Sequence, residues 1–175
     1  DHGESAATVR FDPDDLDEAY TELDERYAAG EAAPHAGTWE MLQRFMRTVA
    51  SRDWEQMASI YSEDFALEDH RLLGWGTRSR DESVTQVPAM IDLAPDARLR
   101  SDHTLAINRR GILNVARWMG SQDGGVFEIP LVGVILFAPD GRFRRIHSYS
   151  LDQLDAARAC FAALTSEPPP LRIEN

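Results

Sequence analysis

The sequence predicts an α+β fold in which helices pack on one face of a curved antiparallel sheet. Three observations predict it. Apolar residues recur at helical spacing through the first half of the chain, long β-branched and apolar runs follow from residue 99 to 150, and helix-starting patterns flank both halves. With 175 residues, 43% of them hydrophobic, the chain is long enough for one core plus extensions.

Four helices are predicted ahead of the strand-rich half. Each starts at a residue that can accept a hydrogen bond from a first-turn N–H, and two starts have a glutamine or glutamate three positions later. The starts are Asp12 (followed by Pro13, with an end at Gly30), Thr38, Asp53 (with Gln56) and Ser79 (with Glu82).

Five strands and a closing helix complete the predicted order. The strands are Phe65–Asp69, Leu99–Asn108, Gly111–Gly120, Val126–Ala138 and Phe143–Ser150, and Ser150 with Gln153 begins a helix that ends near Leu164. Arg109-Arg110 forms the turn of a hairpin. Since the strand Val126–Ala138 is apolar on both alternations, its second face needs a cover, from a dimer partner or from the N-terminal arm.

The charge and the cysteine count exclude several classes of function. All 18 basic residues are arginine, so lysine-based Schiff-base, pyridoxal-phosphate and phosphate-loop chemistry is excluded. The net charge of −12 argues against partners such as nucleic acid or an anionic membrane. One cysteine, Cys160, excludes an internal disulfide. No apolar run reaches membrane-spanning length and no signal-peptide pattern opens the chain, so a cytoplasmic protein is expected.

The sequence predicts three segments. Residues 1–37 form an acidic helical arm, with 11 acidic residues and two arginines among residues 1–31; residues 38–165 form the main domain; residues 166–175 form a proline-rich tail. Residues 11–19 resemble residues 149–157 at an offset of 138. Two interpretations stay open: a coincidence of two helix starts, or the end of a preceding copy in a tandem array.

The order of elements and two sequence runs resemble the SnoaL-like, nuclear transport factor 2-like superfamily. The runs are Met41-Leu42-Gln43-Arg44-Phe45 and Asp64-Phe65-Ala66-Leu67-Glu68-Asp69, and the resemblance covers about residues 38–164. Two further runs resemble more specifically the actinobacterial domains of this type that occur within large regulatory proteins. They are Asp69-His70-Arg71 and Leu73-Gly74-Trp75-Gly76. The resemblance implies a cone-like curved sheet wrapped by helices around a pocket, often dimeric through the sheet.

Two catalytic patterns of the superfamily are absent from this sequence. By the resemblance to ketosteroid isomerase, the aspartate base of that enzyme corresponds to Asp69 here. Its two oxyanion donors correspond to Phe45 and Gly133, whose side chains cannot donate a hydrogen bond. The Asp–Arg–Asp relay of limonene epoxide hydrolase aligns with Ala116, Asn114 and Ser148. The resemblance therefore supports neither mechanism here.

Strand alternation predicts which side chains face the pocket. A two-residue turn at Arg109-Arg110 places His103 opposite Ala116, on the face that the resemblance assigns to the pocket. Asp69 and His103 could then meet as a general acid–base pair. The alternative is that Asp69 anchors the following loop and His103 is a hydrogen-bonded core residue. Predicted ligand contacts are Phe45, Tyr61, Trp75, Asn114, Trp118 and Ser148.

The predicted function is a small-molecule-binding or assembly domain with an apolar pocket, within a larger protein. It takes a small apolar molecule and forms a homodimer through its sheet. The alternative is a cofactor-independent isomerase, cyclase or hydrolase that uses Asp69 and His103. No cofactor and no metal site is predicted, because the five histidines show none of the usual ligand spacings.

Overall fold

The computed structural model describes residues 8–166. The predicted proline-rich tail lies outside these residues from Glu167 onward. Contacts divide the chain into two units, residues 1–36 and 37–175. The α-helices are α1 (Leu16–Ala29), α2 (Ala36–Ser51), α3 (Trp54–Ile60), α4 (Arg80–Leu93) and α5 (Leu154–Thr165). The strands are β1 (Tyr61–Asp69), β2 (Thr77–Ser79), β3 (Arg98–Asn108), β4 (Gly111–Gln122), β5 (Gly125–Phe137) and β6 (Phe143–Tyr149). No helix among the described residues has the length and apolar character that crossing a membrane requires.

The first helix begins later than predicted. Asp12 does not cap it: the Asp12 carboxylate accepts a hydrogen bond from the N–H of Asp14, and the Asp12 carbonyl accepts one from the N–H of Asp15. These bonds close a turn, an alternative that aspartate offers the backbone in competition with a helix. α1 therefore starts at Leu16 and ends before Gly30, as predicted for its end.

The other helix starts follow the sequence patterns closely. Asp53 accepts the N–H of Gln56, and Ser79 with Glu82 forms a complete capping box. Two starts are shifted. α2 starts at Ala36 instead of Thr38, directly after a 3-10 turn over Ala33–His35. Ser150 and Gln153 cap a 3-10 turn over Leu151–Gln153, so α5 starts at Leu154. Each of these helices brings one apolar stripe to the sheet. The stripe of α2 includes Leu42 and Phe45.

The six strands form one sheet in the order β2-β1-β6-β5-β4-β3. β1 and β6 run parallel, and every other neighbouring pair is antiparallel. The short strand β2 was not predicted. The sheet and its helices give the α+β, cone-like architecture that the sequence predicts.

The β3–β4 hairpin forms at the predicted turn but not in the predicted register. Asn108 pairs with Gly111, as expected for a two-residue turn. A bulge at Leu105 then shifts the pairing by one residue, so His103 lies opposite Val115 and not Ala116. A second bulge at Asp102 shifts it again and places Ser101 opposite Ala116. Because one extra residue turns the side chains that follow to the other face, these bulges decide which residues reach the interior.

The outer face of β5 is covered by α5 and needs neither a dimer partner nor the arm there. Val132 and Val134 are fully buried in a cluster with Ala157 of α5, and Phe161 of the same helix packs against that cluster. The expected cover is therefore present on this part of the strand, but α5 supplies it, and the homodimer stays a prediction. α5 begins 138 residues after α1, the offset at which the two segments resemble each other.

Candidate functional site

A cavity of about 190 Å³ lies between the inner face of the sheet and helices α2 and α4. Most of its wall is apolar, with Leu42 and Met46 from α2 and Val87 and Met90 from α4. All six side chains predicted as ligand contacts lie in the wall: Phe45, Tyr61, Trp75, Asn114, Trp118 and Ser148. Such a wall, apolar with a few convergent polar groups, is typical of small-molecule sites.

Three polar side chains of the wall lie in one row across four strands. Asp69 pairs with Ser148, Ser148 with Gly133, and Gly133 with Asn114, so the four residues share one line and one face. Asn114 and Ser148 are buried, and the Asn114 amide donates to Ser101 Oγ at 3.2 Å. A Cβ on Gly133 would lie 2.8 Å from Asn114 Oδ1, so glycine leaves room for this amide.

Asp69 holds the loop that connects β1 to β2. Its carboxylate accepts hydrogen bonds from Arg71 Nε at 2.8 Å, from Arg71 Nη2 at 2.7 Å and from the N–H of Trp75 at 2.9 Å. The N–H of Arg71 donates a fourth bond, at 3.2 Å. Burial acts to raise the pKa of Asp69, but the bonds from Arg71 and Trp75 outweigh it and leave that pKa below its ordinary value. This arrangement favours the anchoring alternative over a general base.

His103 lies outside the cavity. The bulge at Leu105 places it on the other face, where its side chain is exposed, and the expected meeting with Asp69 does not occur. Asp102, next to it, forms an ion pair with Arg117 of β4 at 2.8 Å. The register of β3 therefore overturns the predicted Asp69–His103 acid–base pair.

Two aromatic side chains of the cavity wall, Phe45 and Tyr61, pack against further aromatic rings. The Tyr61 ring stacks on Phe65 with centroids 4.2 Å apart, and the Phe45 ring packs against Phe143 at 5.1 Å. Burial raises the pKa of the Tyr61 phenol well above its ordinary value, so the group stays protonated. The loop held by Asp69 adds Trp75 to the wall.

A second group of titratable side chains lies on the outer face of the sheet. Glu68 and His147 are paired across β1 and β6, and His70 follows just after the end of β1. Burial lowers the pKa of His147, with Glu68 acting in the opposite direction. The spacing of histidines in the sequence does not reveal this group. His70 and His147 are 77 residues apart and meet only because β1 and β6 pair in parallel.

Comparisons with known proteins give a family and a fold. A family model described as "SnoaL-like domain" matches residues 42–146. A search of curated proteins finds no match. Among solved structures, RV0760c of Mycobacterium tuberculosis in complex with estradiol-17beta-hemisuccinate is similar at 16% identity and a TM-score of 0.56, covering 66% of this chain and 95% of that one.

Two further solved structures have the same fold. A putative SnoaL-like polyketide cyclase from Jannaschia sp. CCS1 is 14% identical, with a TM-score of 0.55 over 76% of this chain and 94% of that one. SalBIII, described as an epoxide hydrolase/cyclase-like enzyme in pyran ring formation in salinomycin, is 14% identical, with a TM-score of 0.55 over 64% of this chain and 88% of that one. At these identities the likeness establishes the fold alone.

Proposed function

Since the chain belongs to the SnoaL-like domain family, we propose that its main domain is a binding domain for a small, mostly apolar molecule. The observation that carries this proposal is the cavity, whose wall is apolar except for a few polar groups that include the row from Asp69 to Asn114. Burial of apolar surface would supply most of the affinity, and Asn114 and Ser148 would orient one polar group of the ligand.

The state of Asp69 favours binding over catalysis. Four hydrogen bonds already occupy its carboxylate and its pKa is lowered, so it is a weak proton acceptor near neutral pH. The imidazole that would have assisted it, His103, is on the other face of the sheet. The ligand-bound state of one structural neighbour, with estradiol-17beta-hemisuccinate, supports the choice of an apolar ring system as a probe.

Binding is tested with two fluorescent or absorbing probes, N-phenyl-1-naphthylamine and estradiol-17β-hemisuccinate. Ala116 is 5% exposed and lines the cavity, so Ala116→Trp should fill the space and abolish saturable binding. Ala162→Trp, on the exposed side of α5, is the matched control and should bind as the wild type does. Equal binding by wild type and Ala116→Trp, with both proteins folded by circular dichroism, would refute the proposal.

A cofactor-independent isomerase, cyclase or hydrolase is the second candidate function. The observation in its favour is that Asp69 and Arg71 both line the cavity, so a ligand that drew Arg71 away would release the carboxylate as a base. The test is hydrogen–deuterium exchange at the α-carbons of a bound cyclic ketone in heavy water, followed by mass spectrometry. Exchange that the wild type catalyses and Asp69→Asn does not would establish this function instead.

A further inference from the structure

Three side chains with metal-binding atoms converge on the outer face of the sheet, on the side opposite the cavity. They are Glu68, His70 and His147, and one ligand atom from each lies within 4.8 Å of the other two. We propose that these residues form a binding site for one divalent transition-metal cation of the zinc class. The site is separate from the small-molecule cavity and does not depend on it.

The distances fit ligands of a single ion. His70 Nε2 is 3.2 Å from His147 Nδ1, and His147 Nδ1 is 3.5 Å from Glu68 Oε2. Zinc binds imidazole nitrogen and carboxylate oxygen at about 2.0–2.2 Å in tetrahedral sites, so two ligand atoms on one ion are separated by about 3.3–3.5 Å. The two measured separations match that spacing, and a rotation of the Glu68 side chain would bring its oxygen nearer to His70.

The backbone fixes where the three side chains start. Glu68 and His147 are direct partners in the parallel β1–β6 ladder. The N–H of His70 donates to the Ser148 carbonyl at 2.8 Å, which continues that ladder past the end of β1. The His70 ring also stacks on Tyr149, with centroids 4.5 Å apart and planes 15° apart. A site whose ligands are already held loses little conformational entropy when the ion binds.

The chemistry of the donors selects the class of ion. Two imidazoles with one carboxylate suit Zn²⁺, Co²⁺ or Ni²⁺, whereas Mg²⁺ and Ca²⁺ prefer oxygen ligands throughout. Nε2 of His147 is buried, so Nδ1 is the nitrogen that can reach an ion. Three protein ligands leave a fourth position for water, and the exposed side of His70 gives solvent access to it.

Arg145 places a positive charge near the carboxylate. Its Nη1 is 4.0 Å from Glu68 Oε1, while Oε2 is the oxygen that faces His147. At 4.0 Å this is an ion pair without a hydrogen bond, and it leaves Oε2 for the ion. The competing explanation is a hydrogen-bond chain in which a proton lies between His70 and His147 and no metal binds.

The proposal is tested on the untagged full chain after treatment with a chelator. Zn²⁺ is titrated by calorimetry, and Co²⁺ by its visible absorption, which is stronger for four-coordinate than for six-coordinate ions. We expect one ion per chain. His70→Asn should weaken binding by more than about 10-fold, because it removes a ligand from an exposed position. His103→Asn, which removes an exposed histidine outside the group, is the matched control and should leave the affinity unchanged.

Glu68→Gln gives a second, independent reading. It keeps the size of the side chain and removes its charge, so it should weaken Zn²⁺ binding while the wild-type melting temperature in chelator is kept. The proposal is overturned if the wild type binds no ion, or if His70→Asn and Glu68→Gln both bind as the wild type does, since the ion would then be held elsewhere. A hydrogen-bond chain alone predicts the first of these results.

Discussion

The Arg71 guanidinium closes on the Asp69 carboxylate two residues before it, with Nε 2.8 Å from Oδ1 and Nη2 2.7 Å from Oδ2. The Asp69 side chain is 1% exposed and that of Arg71 is 17% exposed. A carboxylate buried with its counter-ion and further backbone donors stabilises a conformation, because removing either partner would leave a charge without compensation. This pair holds the loop that contributes Leu73 and Trp75 to the cavity wall.

Asp69→Asn should destabilise the protein. An asparagine amide would present donors to Arg71 and Trp75 where they now meet acceptors, and we expect a loss of roughly 1–3 kcal/mol in the free energy of unfolding. Urea denaturation measures it. Asp140 and Arg142 form the same pair at the same spacing in an exposed turn, so Asp140→Asn is the matched control and should cost less. Equal losses would contradict the anchoring role.

Gly74→Ala should disturb the same loop by a steric route. A Cβ on Gly74 would overlap with the Asp69 carboxylate, so the loop or the carboxylate must move. We expect faster proteolytic cleavage within residues 70–76 and weaker probe binding. Gly37→Ala is the control, because a Cβ there meets nothing within 4 Å and alanine favours the helix. Unchanged proteolysis of Gly74→Ala would show that the loop does not depend on this contact.

The cover that α5 provides can be tested with two valines on one alternation of β5. Val134 is fully buried beneath α5, and Val126 is 87% exposed. Val134→Ala should cost about 2 kcal/mol in the free energy of unfolding, since it removes buried methyl groups and leaves a cavity. Val126→Ala should change it by less than about 0.5 kcal/mol. Similar effects at the two positions would mean that α5 does not cover this face.

The register of β3 predicts which polar residues matter for ligand binding. His103→Ala should leave the dissociation constant of the probe unchanged, because the side chain is exposed outside the cavity. Asn114→Ala should raise that constant about five-fold for a ligand with a polar group, which corresponds to one hydrogen bond of about 1 kcal/mol. Fluorescence titration measures both. A large effect of His103→Ala would instead favour the acid–base pair predicted from the sequence.

Local patterns in the sequence correctly predicted the elements whose formation depends on neighbouring residues. The capping residues Asp53 and Ser79 start their helices as predicted, and the β3–β4 turn forms at Arg109-Arg110. At Asp12 the same residue type closes a turn instead, because its carboxylate accepts the N–H of Asp14, two residues on. Local rules do not separate the two cases, since an aspartate can accept a nearby backbone N–H either in a turn or at a helix start.

Residues of the site were predictable where no bulge in their own strand lies between them and the neighbouring site residues. Asn114, Trp118 and Ser148 line the cavity as alternation predicts. His103 does not, because the bulge at Leu105 carries no recognisable mark in the sequence. A bulge depends on how the sheet curves and on which side chains can be buried, which are properties of the assembled sheet.

By itself, the sequence determined the α+β class, the helix starts at Asp53 and Ser79 and the apolar character of the pocket wall, because periodicity and capping are local properties. The tertiary structure decided three matters: that His103 lies away from Asp69, that α5 covers β5, and that Glu68, His70 and His147 converge. Each depends on register or packing between segments distant in the chain, which fixes side-chain direction, and no local pattern encodes that arrangement.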